Sequence, residues 1–361
     1  MHSETTDSAD NIYRLAEELK IPERRVFDFS MPSNPLGVSK KIKAELRKHL
    51  KYLHHFPDPS AERLRRRIGQ YHGIDPEMTV CGSGSMELLS LAVGAIRPEK
   101  VLIAGSFIPM YMPALPGVKV IRHELKYTTD LIPDVDDLIS LLASHPSSLA
   151  LVSNPDSITG LSLKKTDIRK MLAVLKESGS YLIIDEAFAD FCPDCSVVSE
   201  VGNNPGLIVF RTMSFFYALA GLMISYAVFH PEVVRKIGEL RESAAVNSLA
   251  QRAAAIALKD DVYRRETTLF MQVEKKFLEK GFRRLRIDFF PSQVNFYLLK
   301  IGNAASVYQK LKRKGFLVGA CSGYGGLDGL YLRVAVGTHK ANALLIKALA
   351  GILREENLVS A

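Results

Sequence analysis

The chain reads as an α/β protein: a mostly parallel sheet buried on both faces, followed by a smaller α+β lobe. Two observations carry that reading. Short, wholly apolar runs recur at residues 101–104, 118–121, 149–152, 181–184 and 207–210, and helical patterns separate several of them, notably 85–96 and 167–177. A strand that is apolar throughout, instead of alternating, has both faces covered, as in a parallel sheet flanked by helices. The second observation is a change of rhythm after Pro231, where long helical stretches replace the strand–helix alternation.

Taken in order, residues 11–20 open with a helical pattern that puts Ile12, Leu15 and Leu19 on one face. Pro22 leads out of it into an extended stretch at 26–29. Asn34-Pro35-Leu36-Gly37 is a turn, and an amphipathic helix follows over about 39–50. The alternation then runs to about residue 210. Beyond it come a long helix including 261–280, strands at 294–299 and 331–336, and a closing helix at 340–353. The rhythm places a hinge near 231–240. It divides the chain into a large domain over 46–235 and a small domain made of 1–45 together with 236–361.

Composition narrows the class. The 361 residues are 47% hydrophobic and 24% charged, ordinary globular usage with core material for two domains. The first ten residues are polar and acidic with no apolar stretch, unlike a secretory signal, and no apolar run approaches a membrane span. A cytoplasmic protein with no membrane partner is expected. The net charge of +8 draws on Arg63, Arg65, Arg66 and Arg67 and on Arg283, Arg284 and Arg286. The first run falls on a helical pattern with Leu64 and Ile68 on its apolar side and no interleaved aromatics, so it reads as a solvated face. No nucleic acid is expected, whereas small anions would be attracted. Four cysteines do not make a disulfide scaffold. Cys192 and Cys195 bracket a Pro-Asp pair; a redox pair or half a metal site are the functional readings. A plain turn is favoured, because no second pair closes a tetrahedral site. Cys81 and Cys321 read as buried or loop thiols, and no metal is expected.

Three segments carry chemistry. Gly82-Ser83-Gly84-Ser85-Met86 opens a helix, and free amides at such a point favour a phosphate, although many strand-to-helix turns look alike. Asp185-Glu186-Ala187-Phe188 ends a buried strand, at the mouth of the sheet where open α/β folds bind ligands. By itself Asp185 reads equally well as a cap. The third segment is Arg211-Thr212-Met213-Ser214-Phe215-Phe216-Tyr217.

With Asn154-Pro155-Asp156-Ser157-Ile158-Thr159-Gly160 between the first two, this order resembles the fold-type I pyridoxal-phosphate (PLP) enzymes of the aminotransferase class. Within that class the chain is similar to histidinol-phosphate aminotransferases and, more closely, to the threonine-phosphate decarboxylases of cobalamin synthesis. The closer likeness rests on Asp28-Phe29-Ser30 before the 34–37 turn, Phe56-Pro57-Asp58-Pro59, Phe216-Tyr217-Ala218, Val246-Asn247-Ser248-Leu249-Ala250-Gln251, Gly315-Phe316-Leu317-Val318 and Tyr331-Leu332-Arg333-Val334-Ala335-Val336. It runs from about Asn11 to the last helix. It implies a seven-stranded, mostly parallel sheet in the large domain and a role in cobalamin or amino-acid metabolism. It also implies a dimer, either a homodimer or a heterodimer with an active paralogue.

The resemblance assigns roles. Asp185 would pair with the pyridinium nitrogen and keep the ring an electron sink. Ser85, Met86, Thr212 and Ser214 would contact the cofactor. Asn34, Gly37 and Arg333 would meet the substrate, with Arg333 clamping its carboxylate as a bidentate pair. The departures fall on the chemistry. Phe215 stands where the family has its Schiff-base lysine, and a phenyl ring cannot form an imine. Met223 replaces the arginine at the cofactor phosphate. Ser157 replaces an asparagine, with Ile158 where proline is usual, and Phe188 replaces a tyrosine. Phe56 replaces the tyrosine that crosses from the partner subunit, and Ile108 the aromatic stacked on the ring. On the substrate side, Ser8-Ala9-Asp10-Asn11-Ile12 and Gly319 replace residues suited to a phosphate.

Each lost hydrogen bond to a charged group forfeits about 1.5–3 kcal/mol. Together the losses amount to something on the order of 6 kcal/mol, about four powers of ten in affinity. No covalently held cofactor is expected, PLP being implied by the resemblance alone. The leading expectation is a catalytically silent scaffold or regulatory subunit. A protein that binds a small anionic or amphipathic ligand is the second. The third is a residual PLP-dependent lyase or aminotransferase with loosely held cofactor, for which Tyr217 and Lys236 are the nearest candidate bases.

Overall fold

The structure, a computed structural model, describes residues 11–104, 111–123, 133–240, 246–321 and 329–356. Ser8, Ala9, Asp10, Phe107 and Ile108 lie outside them. Twelve strands run in chain order as β1 (Phe27–Phe29), β2 (Thr79–Gly82), β3 (Lys100–Ala104), β4 (Val120–His123), β5 (Ser148–Ser153), β6 (Tyr181–Asp185), β7 (Leu207–Thr212), β8 (Ser225–Val228), β9 (Asp288–Phe289), β10 (Phe296–Lys300), β11 (Phe316–Ala320) and β12 (Tyr331–Ala335) among the described residues. Contacts divide the chain into a larger unit, Gly37–Ser157 with Leu161–Arg265, and a smaller one, Met1–Leu36 with Ile158–Gly160 and Glu266–Ala361.

The larger unit holds a seven-stranded sheet in the order β2-β8-β7-β6-β5-β3-β4. Neighbours from β7 through β4 are parallel, and β8 runs antiparallel to both β7 and β2. This is the mostly parallel sheet that the apolar runs predict. Because successive side chains point to opposite faces, β6 and β7 feed two apolar layers at once. Leu182, Ile184, Leu207 and Val209 join one layer with Ile168 and Met171 of helix Lys165–Ser178. Ile183, Ile208 and Phe210 join the other with Leu88, Leu89 and Ala92 of helix Ser85–Ile96. Full burial of such side chains is worth about 1.5–3 kcal/mol each. The pattern of two covered faces therefore holds the sheet centre in place.

Residues 37–45 and 236–265 belong to the larger unit, not to the small domain where the change of rhythm put them. Helix Ser248–Ala257 turns a row of small side chains, Ala250, Ala253, Ala254 and Ala257, into the same layer as Ile42 of helix Lys40–His49. Lys41 Nζ also reaches Asp260 Oδ1 at 2.7 Å. Helical periodicity reveals a helix; it does not reveal which sheet that helix covers.

The smaller unit carries a five-stranded sheet, β1-β11-β12-β10-β9. β1 pairs with β11 in parallel, and the other pairs are antiparallel. Helix Ile12–Leu19 begins where Asn11 Oδ1 accepts the Arg14 amide at 3.0 Å, and helix His339–Glu355 where Thr338 Oγ1 accepts the Ala341 amide. Among the described residues no helix is long and apolar enough to cross a membrane.

Helix Asp261–Arg284 approaches helix His339–Glu355 closely at Gly281, where an added Cβ would lie 2.6 Å from Ile346 Cδ1. Overpacking of this kind costs about 1–3 kcal/mol, against up to about 1 kcal/mol gained in helix propensity. Gly281→Ala is expected to lower the midpoint of urea unfolding, and a variant as stable as the parent would show that the two helices separate without cost.

Candidate functional site

Parallel strands that end together bring their last residues side by side. Ser153 lies opposite Asp185, and Asp185 opposite Phe210. The Asn154 amide donates to the Asp185 carbonyl at 2.9 Å, and the Glu186 amide to the Phe210 carbonyl at 2.9 Å. The carboxyl ends of β5, β6 and β7 thus present Asn154, Asp185 and Thr212 along one edge of the larger unit.

Asp185 is the focus of that edge, with 4% of its surface exposed. Its Oδ2 accepts the Tyr111 hydroxyl at 2.8 Å and its Oδ1 accepts the Ala187 amide at 3.0 Å. Burial pushes the carboxyl up to about 6, and the bonds from Tyr111 and Ala187 pull against that rise. The Ser85 side chain bonds Tyr111 in turn, so the start of helix Ser85–Ile96 connects to Asp185 through one phenol. Tyr111 went unnoticed in the sequence. It is 74 residues from its partner, and only a tyrosine following the β3 connection marked it.

Around this focus the larger unit gathers most of the residues singled out above. Phe188, which follows β6, stacks on Phe215, which follows β7, with ring centres 4.6 Å apart and an interplanar angle of 18°. Thr212 Oγ1 accepts the Ser214 amide at 3.2 Å and lies 2.9 Å from the Ser214 hydroxyl. Ser157 is buried on the loop leaving β5. Gly84 takes a positive φ of 90° into helix Ser85–Ile96, a conformation that favours glycine. A Cβ there would lie 3.3 Å from the Met223 methyl, so the thioether rests against the helix start beside Ser85 and Met86. At that same start Glu87 Oε2 takes the Ser83 amide at 2.6 Å. Of the two candidate bases, Tyr217 is fully buried, and Lys236 is exposed on helix Pro231–Leu240.

A buried ion cluster supports these strand ends. Arg211 Nη1 donates to Glu186 at 2.9 Å and Nη2 to Asp190 at 2.6 Å, with all three side chains at most 5% exposed. Glu186 also accepts the Ser196 hydroxyl and the Val197 amide, each at 2.6 Å, and Asp190 accepts the Tyr71 hydroxyl at 3.1 Å. Sequence reading quoted Glu186 and Arg211 without seeing that they pair, because 25 residues separate them.

The expected substrate residues fall in both units. In the smaller unit Arg333 Nη2 donates to the Ser30 carbonyl at 3.0 Å, and its guanidinium lies over the Phe296 ring at 5.4 Å. Gly319 stands opposite it on β11; a Cβ there would come within 3.3 Å of Arg333 Nε. Asn34 Nδ2 donates to Thr267 Oγ1 at 2.8 Å, and its Oδ1 accepts the Leu36 amide. Gly37 belongs to the larger unit, where its carbonyl accepts the Tyr263 hydroxyl at 2.7 Å.

This sheet, with an aspartate at the end of a central strand and a glycine-led helix start bonded towards it, defines a fold-type I protein of the pyridoxal-phosphate class. The family model described as aminotransferase class I and II matches residues 25–349, and the chain belongs to that family. A histidinol-phosphate aminotransferase of Roseiflexus castenholzii is 31% identical over 349 residues, covering 93% of this chain and 92% of the relative. One of Methylobacillus flagellatus is 29% identical over 350 residues, covering 95% and 93%. The crystal structure of the histidinol-phosphate aminotransferase from Clostridium acetobutylicum superposes with a TM-score of 0.84 at 27% identity, covering 91% of this chain and all of that one. Two more distant structures share the fold. L-threonine-O-3-phosphate decarboxylase from Porphyromonas gingivalis has a TM-score of 0.77 at 22% identity, covering 91% of this chain and 100% of that one. The Sinorhizobium meliloti histidinol-phosphate aminotransferase, solved with pyridoxal-5'-phosphate, has a TM-score of 0.86 at 20% identity, covering 98% and 99%.

The environment of Asp185 predicts a pH signature. A carboxyl raised from 3.8 to about 6 favours the folded state fully below pH 3.8, and that contribution disappears as pH rises through 6. Two pH units correspond to about 3 kcal/mol. Asp185→Asn is therefore expected to gain on the order of 2–3 kcal/mol relative to the parent between pH 4 and pH 8, measured by urea unfolding. A pH-independent difference would mean that Asp185 is ionised and compensated in the folded protein.

Proposed function

We propose that this chain is a catalytically silent member of its family, a scaffold or regulatory subunit built on the frame of a threonine-phosphate decarboxylase or histidinol-phosphate aminotransferase. The observation that carries the proposal is the stack of Phe215 on Phe188, beyond the ends of β7 and β6. By the sequence resemblance these residues stand where the family has its imine-forming lysine and the tyrosine that meets the cofactor's phenolic oxygen. Two hydrocarbon rings in face-to-face contact offer neither an amine nor a hydroxyl to a bound ring.

Pyridoxal phosphate does not fit this donor set as a covalently held group. Asp185 could still face a pyridinium nitrogen, and Thr212, Ser214 and the amides of Ser85 and Met86 could still meet a phosphate. Yet the side chain resting against that helix start is the neutral thioether of Met223. Losing a charge-assisted hydrogen bond there removes about 1.5–3 kcal/mol. The same apolar lining beside helix-start amides supports a second reading, a site for a small amphipathic anion.

A silent chain acts through what it touches. Leu50, Tyr52, Leu53 and Phe56 form an exposed apolar segment, with Phe56 at 99% exposure. Such a patch favours a protein partner: a second copy or an active paralogue, in the cytoplasm.

The test is a spectrum of the purified protein with added pyridoxal phosphate, followed by borohydride reduction and peptide mapping. The wild-type chain is expected to show no imine absorbance and no single modified lysine. Phe215→Lys is expected to restore only a partial band, since Met223, Ser157 and Phe188 remain. A strong band in the unmodified chain would overturn the proposal.

A further inference from the structure

Cys192 and Cys195 lie on the connection between β6 and β7, and neither thiol takes part in the site described above. The chain turns tightly there, through Ala189–Phe191 and then Pro193–Cys195, and the Cys195 amide donates to the Cys192 carbonyl at 3.0 Å. A turn closed in that way holds its first and fourth Cα atoms within about 7 Å, close to the span of about 4.4–6.8 Å that a disulfide bridges. The side chains converge as well, since the Cys195 thiol donates to the Cys192 sulfur. Their access to solvent differs: Cys192 is half-buried, whereas Cys195 is 5% exposed. Among the described residues no group of three or more His, Cys, Asp or Glu side chains is placed to hold a metal ion.

We infer that Cys192 and Cys195 form a reversible dithiol–disulfide site, oxidised by low-molecular-weight disulfides. The Cys192 thiolate attacks one sulfur of the small disulfide, which breaks its S–S bond, releases one small thiol and leaves a mixed disulfide on Cys192. Cys195 then gives up its proton to solvent and attacks Cys192 Sγ, displacing the second small thiol. Two protein thiols are oxidised and one small disulfide is reduced to two thiols. Exposure sets the order, because only Cys192 can be reached from outside. The Cys195 thiol is pushed up by its hydrogen bond to Cys192 and by burial, which suits the resolving role over the attacking one.

The location gives the bond a consequence. The residues after Cys195 hold Glu186 through the Ser196 hydroxyl and the Val197 amide, and the Cys195 carbonyl accepts Asn154 Nδ2 at 3.4 Å. Closing the pair constrains the segment that fastens the ends of β5 and β6.

The full-length protein is equilibrated with excess glutathione disulfide, quenched in acid, denatured and alkylated, and its peptides are mapped. Free thiols are expected to fall from four to two, with Cys192 and Cys195 in a single peptide lighter by two hydrogens, and dithiothreitol is expected to return all four. Cys195→Ser is expected to stop at a glutathione adduct on Cys192, whereas Cys192→Ser is expected to leave Cys195 reduced. Retention of all four thiols in the wild-type chain, a persistent glutathione adduct without closure, or a bridge between any other pair would overturn the inference. The wild-type map decides the matter even where a variant fails to fold.

Discussion

The positions of the site residues depend on Arg211. Its guanidinium is buried between Glu186 and Asp190, and so it ties the segment after β6 to the end of β7. Burial alone would make Arg211 easier to deprotonate, but Asp190 and Glu186 hold it charged. Taking three charges out of water is costly, and close hydrogen bonds offset the cost only when every group is satisfied. Here Glu186 collects Arg211, Ser196 and Val197, and Asp190 collects Arg211 and Tyr71, while Arg211 Nε alone of this guanidinium's nitrogens is left without a hydrogen-bond partner among the described residues. Removing any one member would strand the others at about 3–5 kcal/mol. Asp185 and Thr212, each adjacent in sequence to a member of the cluster, are fixed as a consequence.

That arrangement separates the demands of folding from those of chemistry. Glu186 and Arg211 are held by each other, whatever stands at residue 215. Phe215 and Phe188 are held by a stacking contact worth about 0.5–1.5 kcal/mol beyond their burial. Asp185 has its two hydrogen bonds from Tyr111 and Ala187.

Sequence patterns reveal properties that repeat along the chain, and they miss pairings between distant segments. β5, β6 and β7 were legible because burial on both faces writes an apolar run into the strand itself. β2 and β8 were not, since each has four residues with Thr79, Gly82 or Ser225 at its ends, and their place in the sheet comes from antiparallel pairing. The same limit governs the site. Asp185, Ser85, Thr212 and Ser214 were singled out because their order along the chain is distinctive. Tyr111 and the Glu186–Arg211 pair were missed because only folding brings them together. The packing partner of the alanine row on helix Ser248–Ala257 likewise emerges only in three dimensions.

The likeness to relatives divides along the same line. A TM-score of 0.84 over 91% of the chain speaks for the course of the backbone, and hence for the buried layers and the strand ends. An identity of 29–31% with histidinol-phosphate aminotransferases extends over nearly the whole length. A reaction resides in a few side chains grafted onto that frame. The phenyl ring of Phe215 offers no nucleophile and packs well on Phe188. The stacked pair of Phe188 and Phe215 beyond β6 and β7 meets a packing requirement of these strand ends, which is a demand of the frame and not of a reaction.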